Sequence, residues 1–479
     1  MSLLLSASKG LGWNTLGTIL RGVMGLAQLA LLSRYLDASE LGTYSQFFIV
    51  TTIALMLAEF GLTAAAISQR DLSEDQTEQL GLSYLLNGIV ISLLLIFFAP
   101  LFSLIFKNPN LVDLIILYSP AIFIVAVGQY SAMECQKSLN FLTLIKAETA
   151  GVVIGFFVLS LGLINGMGVY AFVLGIVANM LTKTLILLCI VQKVYLKLWR
   201  FKFKGALYFF SYGSKFTASN LLSLLVTSSD IIFISRFVGL EQTGQYGLIK
   251  DLVFRITVMI NPILTRVALP FYGKLQSHPT LGEIYCLVKE LLCYLTVPIY
   301  SFFIIFPELS IVLLLGEKWI QLSGLLQILS GWMIIRSVIS QSGSLLAAVG
   351  RVKQSLNWNV AVALIFPTTI YISAPHGIVA VAWTLFCLQV FLYIPHWFWL
   401  LRTAAVIPLY NYTLALFRPL AASHLTLFLV SLLVSTFTWH IYLKFSLILV
   451  LASIIYGVLV IKRIMTIYKS LKMMELKDQ

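Results

Sequence analysis

The chain has 479 residues, of which 59% are hydrophobic and 11% charged, and its net charge is +13. A soluble protein of this size needs far more polar surface, so the composition points to an integral membrane protein. The positive balance reads as Lys and Arg held against anionic membrane lipid; no nucleic acid is expected as a partner.

Apolar runs of roughly 20 residues, the length that crosses a hydrocarbon core, recur along the chain. About 14 are predicted, centred near residues 21, 53, 93, 125, 156, 180, 222, 258, 295, 334, 365, 388, 426 and 454. The absence of alternating ten-residue strands excludes an outer-membrane barrel. Polar gaps reach only about a dozen residues, too short for a globular domain. The opening MSLLLSASKGLGWN lacks a charged segment ahead of its apolar part, so the first span is expected to be retained.

The first helix holds Arg21 within TILRGVMGLAQLALLSRYL. A guanidinium at mid-bilayer needs water, an anion or a carboxylate beside it. Asn14, Gly17, Arg21 and Gln28 share one helical face. On the second helix Glu59 is a candidate partner for Arg21 across adjacent helices, and a candidate for ion coupling. In the acidic loop QRDLSEDQTEQL, Ser73 followed by Gln76 reads as a capping box that opens the third helix. Acids in that first turn suit the helix dipole.

A basic linker, residues 193–205, carries Lys193, Lys197, Arg200, Lys202 and Lys204. On the seventh helix Asn220, Ser223, Thr227 and Asp230 form another polar face, and Asp230 is the second coupling candidate. On the eighth, Arg255 follows Asp251 by one turn, so the pair neutralises itself or faces a wet cavity. On the tenth, Trp332, Arg336 and Ser340 repeat every four residues. Pro262, Pro298, Pro367 and Pro395 fall in or beside helical runs and offer bending points. Cys135, Cys189, Cys286, Cys293 and Cys387 lack metal-ligand spacing and read as small core residues. No metal or cofactor is expected.

With the N-terminus inside, the inner loops and tail hold 18 Lys and Arg and the outer loops 5. That asymmetry predicts both termini in the cytoplasm. An internal repeat is visible between LALLSRYLDASELGTYS (29–45) and IIFISRFVGLEQTGQYG (231–247). Ser33, Arg34, Gly42 and Tyr44 match Ser235, Arg236, Gly244 and Tyr246 at one ungapped offset of 202 residues. Polar matches in register point to duplication. The expected fold is therefore all-α and polytopic, with two six-helix lobes related by a pseudo-two-fold axis, residues 1–192 and 206–400. Residues 401–479 add two helices and a basic tail. Arg21, Arg255 and Arg336 are read as lining a cationic, hydrated cavity between lobes, suited to phosphate.

KGLGWNTLG (9–17), SRYLDASELGTYS (33–45) and EFGLTAAAISQRDLS (59–73) resemble the opening of Wzx-type polysaccharide flippases. INPILTRVALPFYGKLQ (260–276), GEKW (316–319), IIRSV (334–338) and GSLLAAVGR (343–351) extend the likeness to roughly residue 400. It is strongest to the colanic acid exporter branch of the multidrug/oligosaccharidyl-lipid/polysaccharide (MOP) superfamily. The resemblance implies a two-lobed fold with a V-shaped cavity in the bacterial inner membrane. The implied cargo is an undecaprenyl-diphosphate-linked oligosaccharide unit, moved by alternating access for surface polysaccharide synthesis. Polysaccharide polymerase and glycosyltransferases are the implied neighbours. Arg336 lies in a matched stretch; Arg21 and Arg255 rest on helical spacing alone. The competing reading is a cation-coupled multidrug exporter, which needs a cavity acid such as Glu59 or Asp230 and is opposed by Arg21. An enzyme is not expected, because no loop is large enough and the histidines are dispersed.

Overall fold

A computed structural model describes residues 2–69, 72–138, 140–191, 201–274, 280–339, 342–435 and 441–477. Among these residues the regular elements are all helical. In chain order they are α1 (Ser2–Tyr35), α2 (Ala38–Glu59), α3 (Leu62–Ser68), α4 (Glu74–Phe106), α5 (Leu111–Lys137) and α6 (Phe141–Ile164). There follow α7 (Val169–Val191), α8 (Phe203–Phe237), α9 (Leu240–Lys274), α10 (Leu281–Ile305), α11 (Pro307–Leu314) and α12 (Ser323–Ile339). The last are α13 (Ser342–Ala348), α14 (Val352–Ser373), α15 (Ile378–His396), α16 (Arg402–Ala405), α17 (Leu409–Ser435) and α18 (Ile441–Lys477).

Among the described residues, 12 helical stretches are long and apolar enough to cross a membrane. Helices α1 and α9, of 34 and 35 residues, stand beside that set; α9 mixes Lys250, Asp251 and Arg255 into its apolar run. Each expected span centre falls in its own long helix or helix pair. The chain is a multi-pass, all-α membrane protein.

Local chemistry explains several boundaries. Ser73 Oγ accepts from the Gln76 amide at 3.2 Å and Gln76 Oε1 from the Ser73 amide at 3.0 Å, the expected capping box. Asp37 and Glu40 build a second box at the start of α2, which the sequence reading passed over. Helix α2 ends where Phe60 and Gly61 take left-handed φ of 47° and 63°. The break frees carbonyls, and Asn87 Nδ2 donates to those of Leu57 and Ala58 at 2.7 Å each. Pro298, Pro367 and Pro395 lie inside helices as expected, and so do Pro100, Pro120 and Pro419.

The chain divides into two compact units. The first comprises Met1–Leu248 with Ile370–Ile378. In it, the glycines matched by the sequence repeat face one another's helices. A Cβ on Gly42 would come within 3.0 Å of the Leu240 carbonyl oxygen, and one on Gly244 within 3.0 Å of the Ala38 carbonyl oxygen. Residues 38 and 240 carry the same offset as 42 and 244, so the two contacts are related by the offset of the sequence repeat. Buried polar groups fasten the same end: Gln46 donates to Ser235 Oγ, and Asn108 Nδ2 donates to Gln46 Oε1 at 2.8 Å and Thr43 Oγ1 at 3.0 Å.

The second unit comprises Ile249–Thr369 with Val379–Gln479. Its centre is α10, from which buried Glu290 reaches Arg463 on α18 and Arg418 on α17. Arg463 grips the carboxylate in bidentate form, at 2.9 and 2.8 Å. An apolar cavity of about 390 Å³ opens where α10 and α11 meet α17 and α18, between Phe302, Leu314, Leu427 and Leu449. The five cysteines are free thiols. Cys135, Cys286 and Cys293 are buried as expected, whereas Cys189 and Cys387 are exposed on apolar helices, so these two are not core residues. In a membrane-spanning helix a small apolar thiol faces lipid as readily as protein, which composition alone does not distinguish.

Candidate functional site

Arg21 lies in a three-member charge cluster of the first unit. Helices α6 and α7 pack closely and antiparallel: Gly155 and Gly175 each leave room only for the other's carbonyl, and Gly151 abuts Asn179. Small residues let two backbones approach in this way. The same register carried one turn further sets Glu148 of α6 beside Lys183 of α7. Helix α1 reaches α6 through Gly17, which packs on Ile145, and one turn on Arg21 meets Glu148. Arg21 Nη1 donates to Glu148 Oε2, Lys183 Nζ donates to Glu148 Oε1 at 3.3 Å, and Arg21 Nη2 donates to Thr18 Oγ1 at 3.3 Å. The side chains are 25% (Arg21), 28% (Glu148) and 35% (Lys183) exposed, so the cluster is open on one side. Two cations share one carboxylate, leaving one positive charge over.

The carboxylate paired with Arg21 is therefore Glu148 and not Glu59. Glu59 sits half-buried at the end of α2. Gln28 is half-buried on α1, and Asn14 belongs to α1 but its side chain lies outside the described residues. On α8, Asn220 and Thr227 are half-buried and Ser223 is exposed, while Thr227 donates back to the Ser223 carbonyl at 3.0 Å. Asp230 is buried, accepting from Tyr246 Oη at 2.7 Å.

Arg255 and Arg336 belong to the second unit. Arg255 Nε and Nη2 both donate to Asp251 Oδ2, at 3.2 and 2.7 Å, the one-turn pairing that the sequence left open. Arg336 stands over the rings of Trp332 and Phe254, 5.2 and 5.3 Å from their centroids. Trp332 is buried against Phe254, and Ser340 lies outside the described residues. Helix α9 thus brings Asp251, Phe254 and Arg255 to the neighbourhood of Arg336 on α12.

Several charged residues escaped the sequence reading, and three stand out. Glu148 and Lys183 are the first two. The third, Lys289, is fully buried on α10; its Nζ donates to the Tyr412 carbonyl at 2.7 Å and sits 3.2 Å from the Tyr412 ring centroid. The available signal was charge inside an apolar run, as in CLVKELLCYL (286–295).

A family profile described as polysaccharide biosynthesis protein matches residues 31–324. The chain belongs to that family. It is 26% identical to the teichuronic acid biosynthesis protein TuaB of Bacillus subtilis (strain 168), over 78% of each chain. It is also 26% identical to the lipopolysaccharide biosynthesis protein WzxC of Escherichia coli (strain K12), over 78% of this chain and 76% of that protein. Among solved structures it resembles the lipid II flippase MurJ in an inward closed conformation, with TM-score 0.74 and 13% identity over 94% of this chain and 99% of that one. An inward-facing MATE multidrug transporter of the MOP superfamily gives TM-score 0.64 and 14% identity over 81% and 95%. The family member thus shares the fold of these two solved structures.

Proposed function

We propose that the protein flips an undecaprenyl-diphosphate-linked oligosaccharide unit from the cytoplasmic to the periplasmic leaflet of the bacterial inner membrane. Membership of the polysaccharide biosynthesis family and the flippase fold support this. The observation that carries it is the Arg21–Glu148–Lys183 cluster: partly open cations brought together from helices α1, α6 and α7, with one positive charge in excess. Such a group is costly in a bilayer unless it meets an anion, and a diphosphate meets guanidinium and ammonium well. In this reading the duplicated lobes, 1–192 and 206–400, rock about the cytoplasmic linker 193–205, with both termini inside. Arg255 and Arg336 take part from the second lobe while the polyprenyl tail stays in lipid. Residues 401–479 add a helix pair and a basic tail against anionic lipid. Polymerase and glycosyltransferases work beside it.

Cation-coupled drug export is less well supported. A cationic drug would face excess positive charge at Arg21 and Lys183, and Asp230 is already bonded to Tyr246. Arg21→Ala is expected to abolish rescue of a flippase deletion strain, with loss of surface polysaccharide of at least tenfold and undiminished protein in the membrane. Normal polysaccharide from that variant removes Arg21 from the cargo site.

A further inference from the structure

We infer that Glu148 is an exchangeable counter-ion: it holds Arg21 and Lys183 while the site is empty and yields them to the phosphate groups of the cargo. This rests on the reading of the Arg21 cluster as the cargo site, and adds Glu148 and Lys183 to it as the residues that set affinity and release.

Glu148 spends one carboxylate oxygen on Arg21 and the other on Lys183. Thr18 is the remaining partner of Arg21, and Lys183 has Glu148 as its single polar partner among the described residues. The three side chains come from three helices, α1, α6 and α7, so no local helix pairing dictates the arrangement. Without Glu148, two cations would stand side by side in apolar helices, repelling each other and lacking a counter-charge. The carboxylate therefore stabilises the empty state.

A phosphate group presents the same acceptor geometry as the carboxylate. A diphosphate diester carries two negative charges and more acceptor oxygens. It displaces Glu148 and takes both cations, while the freed carboxylate turns to water through the open side. The exchange makes binding reversible. The affinity is the difference between two anions at one pair of cations, and a carrier must hold cargo weakly enough to let it go. The remaining positive charge selects phosphate-bearing cargo over a neutral polyprenol.

The test uses the full-length protein in lipid nanodiscs, with undecaprenyl diphosphate as probe and undecaprenol as control. Binding is read by native mass spectrometry. Glu148→Gln removes the competing charge and is expected to tighten undecaprenyl diphosphate about fivefold or more, while slowing polysaccharide export in cells. Lys183→Met is expected to weaken binding by a similar factor, and Lys183→Arg to restore it. A second readout needs no variant: labelling of wild-type Glu148 by a water-soluble carbodiimide is expected to rise when undecaprenyl diphosphate is added, and to stay constant with undecaprenol. Unchanged or weaker binding by Glu148→Gln, or labelling that does not rise, overturns the exchange. If Arg21→Ala still weakens binding in that case, the cargo site stands and only the role of Glu148 falls. Wild-type affinity in Arg21→Ala removes the site itself.

Discussion

Gly244→Leu is expected to prevent stable accumulation of the protein, the largest effect of any single change considered. A Cβ at this position would lie within 3.0 Å of the Ala38 carbonyl oxygen and of the Gly42 amide nitrogen, both backbone atoms that cannot rotate aside. Overpacking against movable side chains costs about 1–3 kcal/mol. Here α9 and α2 must separate, and the buried bonds among Gln46, Ser235, Asn108 and Thr43 lie at the same end. The expected loss is therefore at the upper end of that range or beyond it, about 3 kcal/mol or more. Size-exclusion profiles of a fluorescent fusion and its melting temperature measure it. Gly457→Ala is the control: its Cβ meets nothing within 4 Å, so it is expected to melt with the wild type or slightly above. A Gly244→Leu protein with the wild-type profile would show that the glycine interlock does not hold these helices together.

Arg463→Met is expected to cost more stability than Glu290→Gln, although both break the same ion pair. Glu290 is 3% exposed and Arg463 35%. Removing the guanidinium leaves a buried carboxylate with the Tyr294 hydroxyl at 3.4 Å and Arg418 at 3.8 Å, and costs about 3–5 kcal/mol. Removing the carboxylate leaves two arginines that are 42% (Arg418) and 35% (Arg463) exposed, so the penalty is smaller. Both should loosen α17 and α18 from α10. Thermal melts in detergent order the two variants, and the reverse order would contradict the burial argument.

The helices were legible because each span needs a long apolar run, and the capping box at Ser73 and the pairing of Asp251 with Arg255 are local in sequence. The internal repeat was legible because its polar residues kept register, and its matched glycines Gly42 and Gly244 lie against the carbonyls of Leu240 and Ala38, which share the same offset. The partner of Arg21 was not legible. Helical spacing identifies the face of a residue but not the helix opposite, and Glu148 lies 127 residues away. The polar face of α8 was only partly informative. Asn220, Ser223 and Thr227 keep some exposure, while Asp230 on the same stripe is buried against Tyr246. Lys289 and Glu290 escaped because two adjacent charges in an apolar run carry no indication of their partners. Those partners lie on helices up to 173 residues further along.

The most direct test of flipping is leaflet-resolved detection of the lipid-linked oligosaccharide in spheroplasts depleted of this protein, using a membrane-impermeant label for the glycan. The expected result is accumulation of lipid-linked oligosaccharide protected from the label, with exposure restored by wild-type protein and not by Arg21→Ala. Equal labelling with and without the protein would mean that the cargo crosses the membrane by another route.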